Sequence, residues 1–216
     1  MDVRQAMENR SSKRAFLDRP VSGETILDLL SAAGRAPSAI NLQPWEFTVV
    51  SGEERLRLSR NLVKAYRERN IGCSSGASSP LPERFKARQY DSFTGLEQLM
   101  SLGRQGIMDF VNEGSLNFYG APAAIIITKD QAFPEHYLTS TGIMIGYLLL
   151  AAEAKGLATC PIGLIRNYEE IVLDFLNLEE RNLVLGVALG YADPDAPVNR
   201  LRTPREPVEA LVRWYG

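Results

Sequence analysis

The stretch APAAIIIT, Ala121 to Thr128, decides the fold of this chain. Apolar residues run through it without alternating with polar ones, which predicts a strand that is buried on both faces. Further strands are predicted at EFTVVSG, residues 46–52, and at LVLGVALGY, residues 183–191, where β-branched and aliphatic residues are clustered. A strand buried on both faces needs other elements packed above and below it.

Three helices are predicted around these strands. The first begins after the N-cap residue Ser22, continues with apolar residues at helical spacing and ends near Arg35, ahead of Pro37. A charged amphipathic helix follows over residues 53–70. The segment 137–155 is apolar on nearly every side of a helix, which predicts a central position for it.

Two glycines in the predicted central helix, Gly142 and Gly146, lie one turn apart on the same face. Glycine at such positions permits another helix to approach closely. That helix belongs either to this chain or to a second subunit, and the sequence leaves both alternatives open.

The composition is that of an ordinary globular protein. The chain has 216 residues, of which 45% are apolar and 23% are charged, and its formal net charge is -2. This predicts a single domain over residues 1–216 and argues against nucleic-acid or membrane partners, which need a basic excess. The N-terminus lacks the pattern of a signal peptide, and the longest apolar run, residues 143–152, is too short to span a membrane. We therefore expect a soluble, cytoplasmic protein.

His136 is the only histidine of the chain, and Cys73 and Cys160 are its only cysteines. These residues provide neither the spacing of metal ligands nor a Cys/His or Ser/His nucleophile arrangement. We expect no metal site and no catalytic side chain, and we interpret Cys160 as a small buried hydrophobic residue.

Three segments allow both a structural and a functional interpretation. RSSKR, residues 10–14, is either a solvated basic turn or a site that holds an anion. PSAINLQPW, residues 37–45, is either a capped turn or a rigid polar loop that faces a flat heteroaromatic ligand. GLATCPIGLI, residues 156–165, is either a helix C-cap followed by a loop or a backbone that a ligand can approach closely.

Two further segments lack an apolar period. Residues 71–82 are rich in Gly, Ser and Pro and predict a surface loop or lid. The proline-rich tail, from residue 192 onward, carries Arg200, Arg202 and Arg205. It predicts an extended segment that lies over another part of the protein. Neither the tail nor RSSKR has interleaved aromatic residues for base stacking, which disfavours a nucleic-acid interface.

In this order, the segments of the chain resemble the nitroreductase family of flavin-dependent enzymes. The resemblance implies an α+β fold with a central, mostly antiparallel sheet flanked by helices. It also implies an intertwined homodimer with an extended C-terminal tail and one FMN per subunit at the dimer interface. The segments that carry it are RSSKRAF (10–16), PVSGETILDLLSAAGRAPSAINLQPWEFTVVSGEE (20–54), FYGAPAAIII (118–127), LLLAAEAKGLATCPIG (148–163), ALGYADPDAPVNR (188–200) and REPVEALVRWYG (205–216).

The resemblance assigns roles to residues of this sequence. It places the FMN phosphate and ribityl chain on the basic residues at both ends of the chain, and the flavin ring between a loop of the partner subunit and the CPIG segment. In that arrangement Gln43 supports the loop or contacts the ring edge, and the amide of Gly163 or its neighbour faces flavin N5. The assigned residues are Arg10, Ser11, Ser12, Arg14, Arg202 and Arg205 for the phosphate end, and Pro37, Ser38, Ala39, Asn41, Gln43, Pro161, Ile162 and Gly163 for the ring.

The resemblance leaves the roles of some residues near the flavin unassigned. CPIG supplies no charged side chain that could face N1 and O2 of the ring. Lys13 is a weak candidate for this cation, since its neighbours in the motif already face the phosphate. Four aromatic residues either line the mouth of the pocket or belong to the core: Tyr90, Phe93, Phe118 and Tyr119.

The resemblance implies that NADH or NADPH reduces the flavin through N5. A flat, electron-poor acceptor such as a nitroaromatic or a quinone then uses the same space, which is a ping-pong cycle. Two alternatives remain: a flavin-binding protein that stores, senses or degrades flavin, and a specialised reductase such as a dehalogenase.

Overall fold

The structure is a computed structural model that describes residues 1–74 and 76–216. Over these residues the chain has seven α-helices and one sheet of four strands, joined by short 3-10 turns and extended segments. Their bounds are α1 Val3–Asn9, α2 Gly23–Ala33, β1 Trp45–Ser51, α3 Gly52–Arg69, α4 Glu83–Met100, α5 Arg104–Leu116, β2 Ala123–Asp130, α6 Leu138–Ala154, β3 Ala158–Ile162, α7 Glu169–Leu176 and β4 Arg181–Gly190.

The sheet is antiparallel throughout, with the strand order β1-β2-β4-β3. Strand β2 lies inside the sheet, and its isoleucines alternate between two hydrophobic cores: Ile125 and Ile127 belong to one, and Ile126 belongs to the other. The first core is covered by α2 and α6, and the second by α3, α7 and the 3-10 turns that precede β2 and follow β3. The predicted strand buried on both faces is therefore confirmed, as is the α+β class with a mostly antiparallel sheet flanked by helices.

The predicted helices are present with small differences at their ends. Ser22 caps α2, because its hydroxyl accepts a hydrogen bond from the amide of Thr25 at 3.1 Å. This helix ends at Ala33 rather than near Arg35. Between α3 and α4, the described residues of the predicted 71–82 loop contain neither helix nor strand, and Ser75 lies outside the described residues.

In GLATCPIGLI, Gly156 follows α6 with a φ of 71°, as predicted for a glycine at a helix C-terminus. The predicted loop after it is wrong, since residues 158–162 form β3 and pair with β4 along their whole length. Strand β3 is the last strand of the order, and a proline such as Pro161 is tolerated on an edge strand. Ser12 forms an isolated parallel bridge with Thr159, and the amide of Lys13 donates to the carbonyl of Thr159 at 3.0 Å. The basic segment 10–14 therefore lies directly beside β3.

Helix α6 packs against α2 with one face and leaves part of the opposite face exposed. A Cβ atom added at Gly142 or Gly146 would meet nothing within 4 Å, so no described element of this chain makes the close approach that these glycines permit. The side chains of Ile143 and Tyr147 are 41% and 44% exposed on the same helix. Of the two alternatives for this face, the one within the chain is wrong.

The stretch Glu135–Ala154, which includes α6, is long and apolar enough to cross a membrane by length and composition alone, with a mean hydropathy of 1.2. Core helices of soluble proteins share these properties. In this fold, Met144 and Leu148 of α6 are fully buried in the core between the helix and the sheet.

Asn199 joins the two ends of the chain. It is 7% exposed, and its Oδ1 accepts a hydrogen bond from the amide of Arg14 at 2.8 Å. Its Nδ2 donates to the carbonyls of Ala15 and Asp193 at 2.8 and 2.9 Å. One buried amide side chain thus satisfies three backbone groups that have little access to water.

We expect Asn199→Ala to lower the free energy of unfolding by about 2 kcal/mol or more, because it leaves buried backbone groups without partners. Urea unfolding followed by circular dichroism measures the change. Asn167→Ala is the matched control, since Asn167 is exposed. Equal stability of the two variants would show that Asn199 does not join the two segments.

Candidate functional site

A cavity of about 300 Å³ lies between the N-terminal segment and the tail. We call its four guanidinium groups and two hydroxyls the arginine cradle. The order of elements explains its position: β3 holds residues 12–13, and Asn199 fastens residues 14–15 to the start of the tail. The arginine cradle consists of Arg10, Ser11, Ser12, Arg14, Arg202 and Arg205, and Met7, Glu8, Leu201 and Thr203 complete the cavity wall.

The positive charge of the cradle has no counter-charge among the residues that the structure describes. The carboxylate of Glu8, in the wall, forms an ion pair with Arg4 at 3.0 Å, and the nearby Glu206 forms one with Arg88 at 2.7 Å. No ion pair reaches any of the four cradle arginines within residues 1–74 and 76–216. Like charges at this proximity repel, and an anion relieves that repulsion.

The arginines are oriented by neutral groups. Arg202 donates from Nη1 to the hydroxyl of Ser11 at 2.8 Å, and Arg205 donates from Nη1 to the hydroxyl of Thr203 at 2.7 Å. The Nε of Arg14 is buried and has no hydrogen-bond partner. Guanidinium groups held in this way present free N–H donors, and phosphate oxygens are their geometric match. The residues present therefore fit a phosphate group.

Lys13 does not face this cavity. Its ammonium group donates to the carbonyl of Asn199 at 2.9 Å, and burial, followed by the charge of Arg202, lowers the pKa of the amine. In the structure, Lys13 therefore binds the tail at Asn199. Its position does not support it as the cation that faces a flavin ring.

Cys160 and Tyr119 lie beneath the cradle. Cys160 is 3% exposed, as expected for a buried hydrophobic residue, and burial raises the pKa of its thiol against the opposing effect of Arg14. Tyr119 and Phe118 are buried in the core as well. Tyr90 and Phe93 instead line a separate cavity of about 870 Å³ along α4, together with Cys73 and Arg104.

The polar loop 37–43 has a strained backbone. Ile40, Asn41 and Gln43 have φ angles of 44°, 60° and 46°, in the left-handed region that residues other than glycine rarely adopt. Ser38 accepts the amide hydrogen of Gln43 at 3.0 Å, and the side-chain amide of Gln43 donates to the carbonyl of Asn41 at 3.1 Å. These bonds hold the loop in shape while the side chain of Ile40 is 85% exposed.

The loop and the cradle do not share a cavity within one chain. None of the predicted ring residues Pro37, Ser38, Ala39, Asn41 and Gln43 lines the cradle cavity of the described structure. Pro37, Ala39, Asn41 and Gln43 are exposed.

At the end of β3, mainly backbone groups are available to contact a ligand. The side chain of Ile162 is 2% exposed in the core, so only its main chain can face a ligand. Pro161 is half-buried, and Gly163 is exposed at the start of a 3-10 turn. Gly163 also lines a cavity of about 500 Å³ with Cys73 and Asn167.

Sequence reasoning missed part of the site. Thr203 orients Arg205 through its hydroxyl, and this role was not predicted. A threonine in a proline-rich tail has no sequence pattern that distinguishes it from other polar residues. Arg200, grouped with Arg202 and Arg205 in the sequence, does not line the cradle cavity.

In the described part of the chain, no group of three or more His, Cys, Asp or Glu residues could hold a metal ion.

Comparison with known proteins finds similar reductases over the whole length of the chain. The curated 4-nitrobenzoate reductase of Pseudomonas putida is 32% identical over 219 residues, which cover 100% of this chain and 96% of that protein. The crystal structure of the FMN-dependent nitroreductase NfnB from Mycobacterium smegmatis in complex with NADPH superposes with a TM-score of 0.90 at 32% identity, covering 100% of both chains.

A more distant relative is the iodotyrosine dehalogenase 1 homolog of Caenorhabditis elegans, which is 29% identical over 98% of this chain and 60% of its own length. The family model described as "Nitroreductase family" matches residues 7–191, which include the N-terminal residues of the cradle and all four strands. With the strand order, the cradle and these matches in agreement, the chain belongs to the nitroreductase family.

Proposed function

We propose that this protein is an FMN-dependent oxidoreductase that transfers hydride from NADH or NADPH to a flat, electron-poor acceptor such as a nitroaromatic or a quinone. The observation that carries the proposal is the arginine cradle, with four guanidinium groups around one cavity and no carboxylate paired to them among the described residues. A phosphate monoester supplies the missing negative charge. We extend the proposal to one cytoplasmic FMN-binding domain over residues 1–216.

Different residues of the chain bind the phosphate and the ring of the cofactor. Arg10, Arg14, Arg202 and Arg205 bind the phosphate with Ser11 and Ser12, and the main chain of Pro161, Ile162 and Gly163 faces the ring. The loop of a second subunit, with Pro37, Ser38, Ala39, Asn41 and Gln43, covers the ring from the other side. When bound, FMN supplies the hydride chemistry, accepting two electrons and a proton equivalent from the nicotinamide and passing them to the acceptor.

The side chains around the cradle are suited to binding rather than to proton transfer. Burial raises the pKa values of Cys160 and Tyr119, so both stay protonated and neutral near pH 7. His136 lies on the exposed surface, in the turn before α6. The protein therefore selects its acceptor by stacking area and access.

The comparisons support a nicotinamide-driven reductase. The solved NfnB structure is a complex with NADPH, and the P. putida relative is a 4-nitrobenzoate reductase. The C. elegans dehalogenase relative favours a specialised reductive reaction as the second candidate. Both candidates need the same phosphate anchor, and they differ in the acceptor.

Three surfaces support a homodimer. The glycine face of α6 is open and apolar, and β1 is an edge strand whose Val49 is 40% exposed. Near the end of the tail, Trp214 and Tyr215 are each 91% exposed. An unpaired strand edge and exposed aromatic residues are surfaces that folding normally covers, and a second copy of the chain covers them together.

Turnover tests the proposed reaction. We expect stopped-flow mixing of FMN-loaded protein with NADH or NADPH to bleach the flavin, and double-reciprocal plots at several nitroaromatic concentrations to be parallel, because one pocket is used twice. Changing His136 to Ala should leave the rate within about threefold, since general acid–base catalysis contributes about 100-fold or more. Intersecting lines would indicate a ternary complex. Failure of both nucleotides to bleach the flavin would instead favour storage or sensing.

Subunit sharing is tested by complementation. An Arg10→Ala chain and a Ser38→Ala/Asn41→Ala chain are each expected to bind FMN poorly alone, and a mixed dimer places both lesions in one site and leaves the other intact. With random mixing at equal amounts, about a quarter of wild-type FMN binding should return. Mixed dimers that form by mass spectrometry but recover no FMN binding would show that each site is built within one chain.

A further inference from the structure

The turn between α5 and β2, residues 117–120, has an unusual backbone. Phe118 and Tyr119 are consecutive aromatic residues with φ angles of 56° and 52°, and Gly120 follows with a φ of 73°. Left-handed conformations cost about 1 kcal/mol or more for residues other than glycine, and they cluster at functional sites. Two of them in succession need strong support from their surroundings.

That support comes from three directions. Arg55, which is 8% exposed, donates from Nη1 to the carbonyl of Asn117 at 3.1 Å and so fixes the start of the turn. Gly114 leaves room for the ring, because a Cβ there would lie 2.5 Å from a carbon of Tyr119. The hydroxyls of Ser115 and Tyr119 are hydrogen-bonded at 3.1 Å. The strained turn therefore fixes the place of one side chain, the phenol of Tyr119.

The fixed phenol lies beside Arg14 of the cradle. The guanidinium carbon of Arg14 is 6.0 Å from the centroid of the Tyr119 ring, and the Nε of Arg14 is a buried donor without a partner. A phenolic oxygen has one hydrogen and two acceptor lone pairs, so its bond with Ser115 leaves an acceptor free. Burial raises the pKa of Tyr119, which keeps the hydroxyl neutral and protonated near pH 7.

We propose that Tyr119 is a positioning residue of the FMN site: its oxygen accepts a hydrogen bond from Nε of Arg14 when the phosphate of FMN occupies the cradle. The two terminal nitrogens of Arg14 are then left to face the cofactor. The strained turn, Arg55 and Gly114 serve to hold the phenol where this bond forms. This inference rests on the proposed function, because it takes FMN as the occupant of the cradle.

The test is a double-mutant cycle read by FMN titration into the apo-protein. Four proteins are compared: wild type, Tyr119→Phe, Arg14→Ala and the double variant. Because Tyr119 acts through Arg14, Tyr119→Phe should weaken FMN binding about tenfold in the wild-type background and less than about twofold beside Arg14→Ala. Weakening by the same factor in both backgrounds, or no weakening in either, would overturn the proposal.

Tyr168→Phe is the matched control. Tyr168 is buried as well, and its hydroxyl donates to the carbonyl of Ile71 at 2.9 Å, away from the cradle. It should lower the melting temperature without changing FMN affinity by more than about twofold. A loss of FMN affinity equal to that of Tyr119→Phe would mean that any buried tyrosine hydroxyl matters only through stability, which contradicts the proposal.

Ser115→Ala is the second variant if Tyr119→Phe does not fold. It frees the phenol to rotate, and the same dependence on Arg14 is expected. Failure of the wild-type protein to bind FMN would overturn both this inference and the proposed function. Tight FMN binding that Arg14→Ala weakens, but Tyr119→Phe and Ser115→Ala do not, would overturn the inference alone.

Discussion

Four guanidinium groups from opposite ends of the chain face one cavity, and the fold has to hold them there against their mutual repulsion. Strand β3 and Asn199 meet this constraint, the strand by binding residues 12–13 and the asparagine by joining residues 14–15 to the tail. Neither connection uses a carboxylate. The positive charge is therefore kept available for a ligand instead of being neutralised within the protein.

A single chain closes the two cores around β2 but leaves other apolar surface exposed. The isoleucines of β2 fill two cores, one on each face of the sheet, and these cores are closed by helices of the same chain. The outer face of α6, the free edge of β1 and the aromatic end of the tail remain uncovered. In the proposed homodimer, a second subunit covers these surfaces and brings its 37–43 loop to the ligand in the cradle.

The sequence predicted elements with strong local signals and missed those that depend on tertiary contacts. The apolar run 121–128 and the Ser22 cap were sufficient for β2 and α2. Strand β3 was missed because Pro161 argues against a strand, and its edge position, which tolerates proline, follows only from the assembled sheet. The roles of the basic residues came from the family resemblance, since a basic cluster alone favours a solvated turn. The left-handed conformations of Phe118 and Tyr119 gave no sequence pattern, because they depend on tertiary contacts. Gly114 leaves room for the ring of Tyr119, and Arg55, distant in the sequence, binds the carbonyl of Asn117.

The central claim is that the cradle recognises a phosphate monoester, and comparison of FMN with riboflavin tests it most directly because the two differ only in that group. Calorimetric titration of the apo-protein should show FMN binding at least about 100-fold more tightly than riboflavin, as charge-assisted hydrogen bonds to several arginines require. Arg205→Ala should reduce this ratio about tenfold, whereas Arg200→Ala, a tail arginine outside the cavity wall, should leave it unchanged. Equal affinity for FMN and riboflavin would contradict the account.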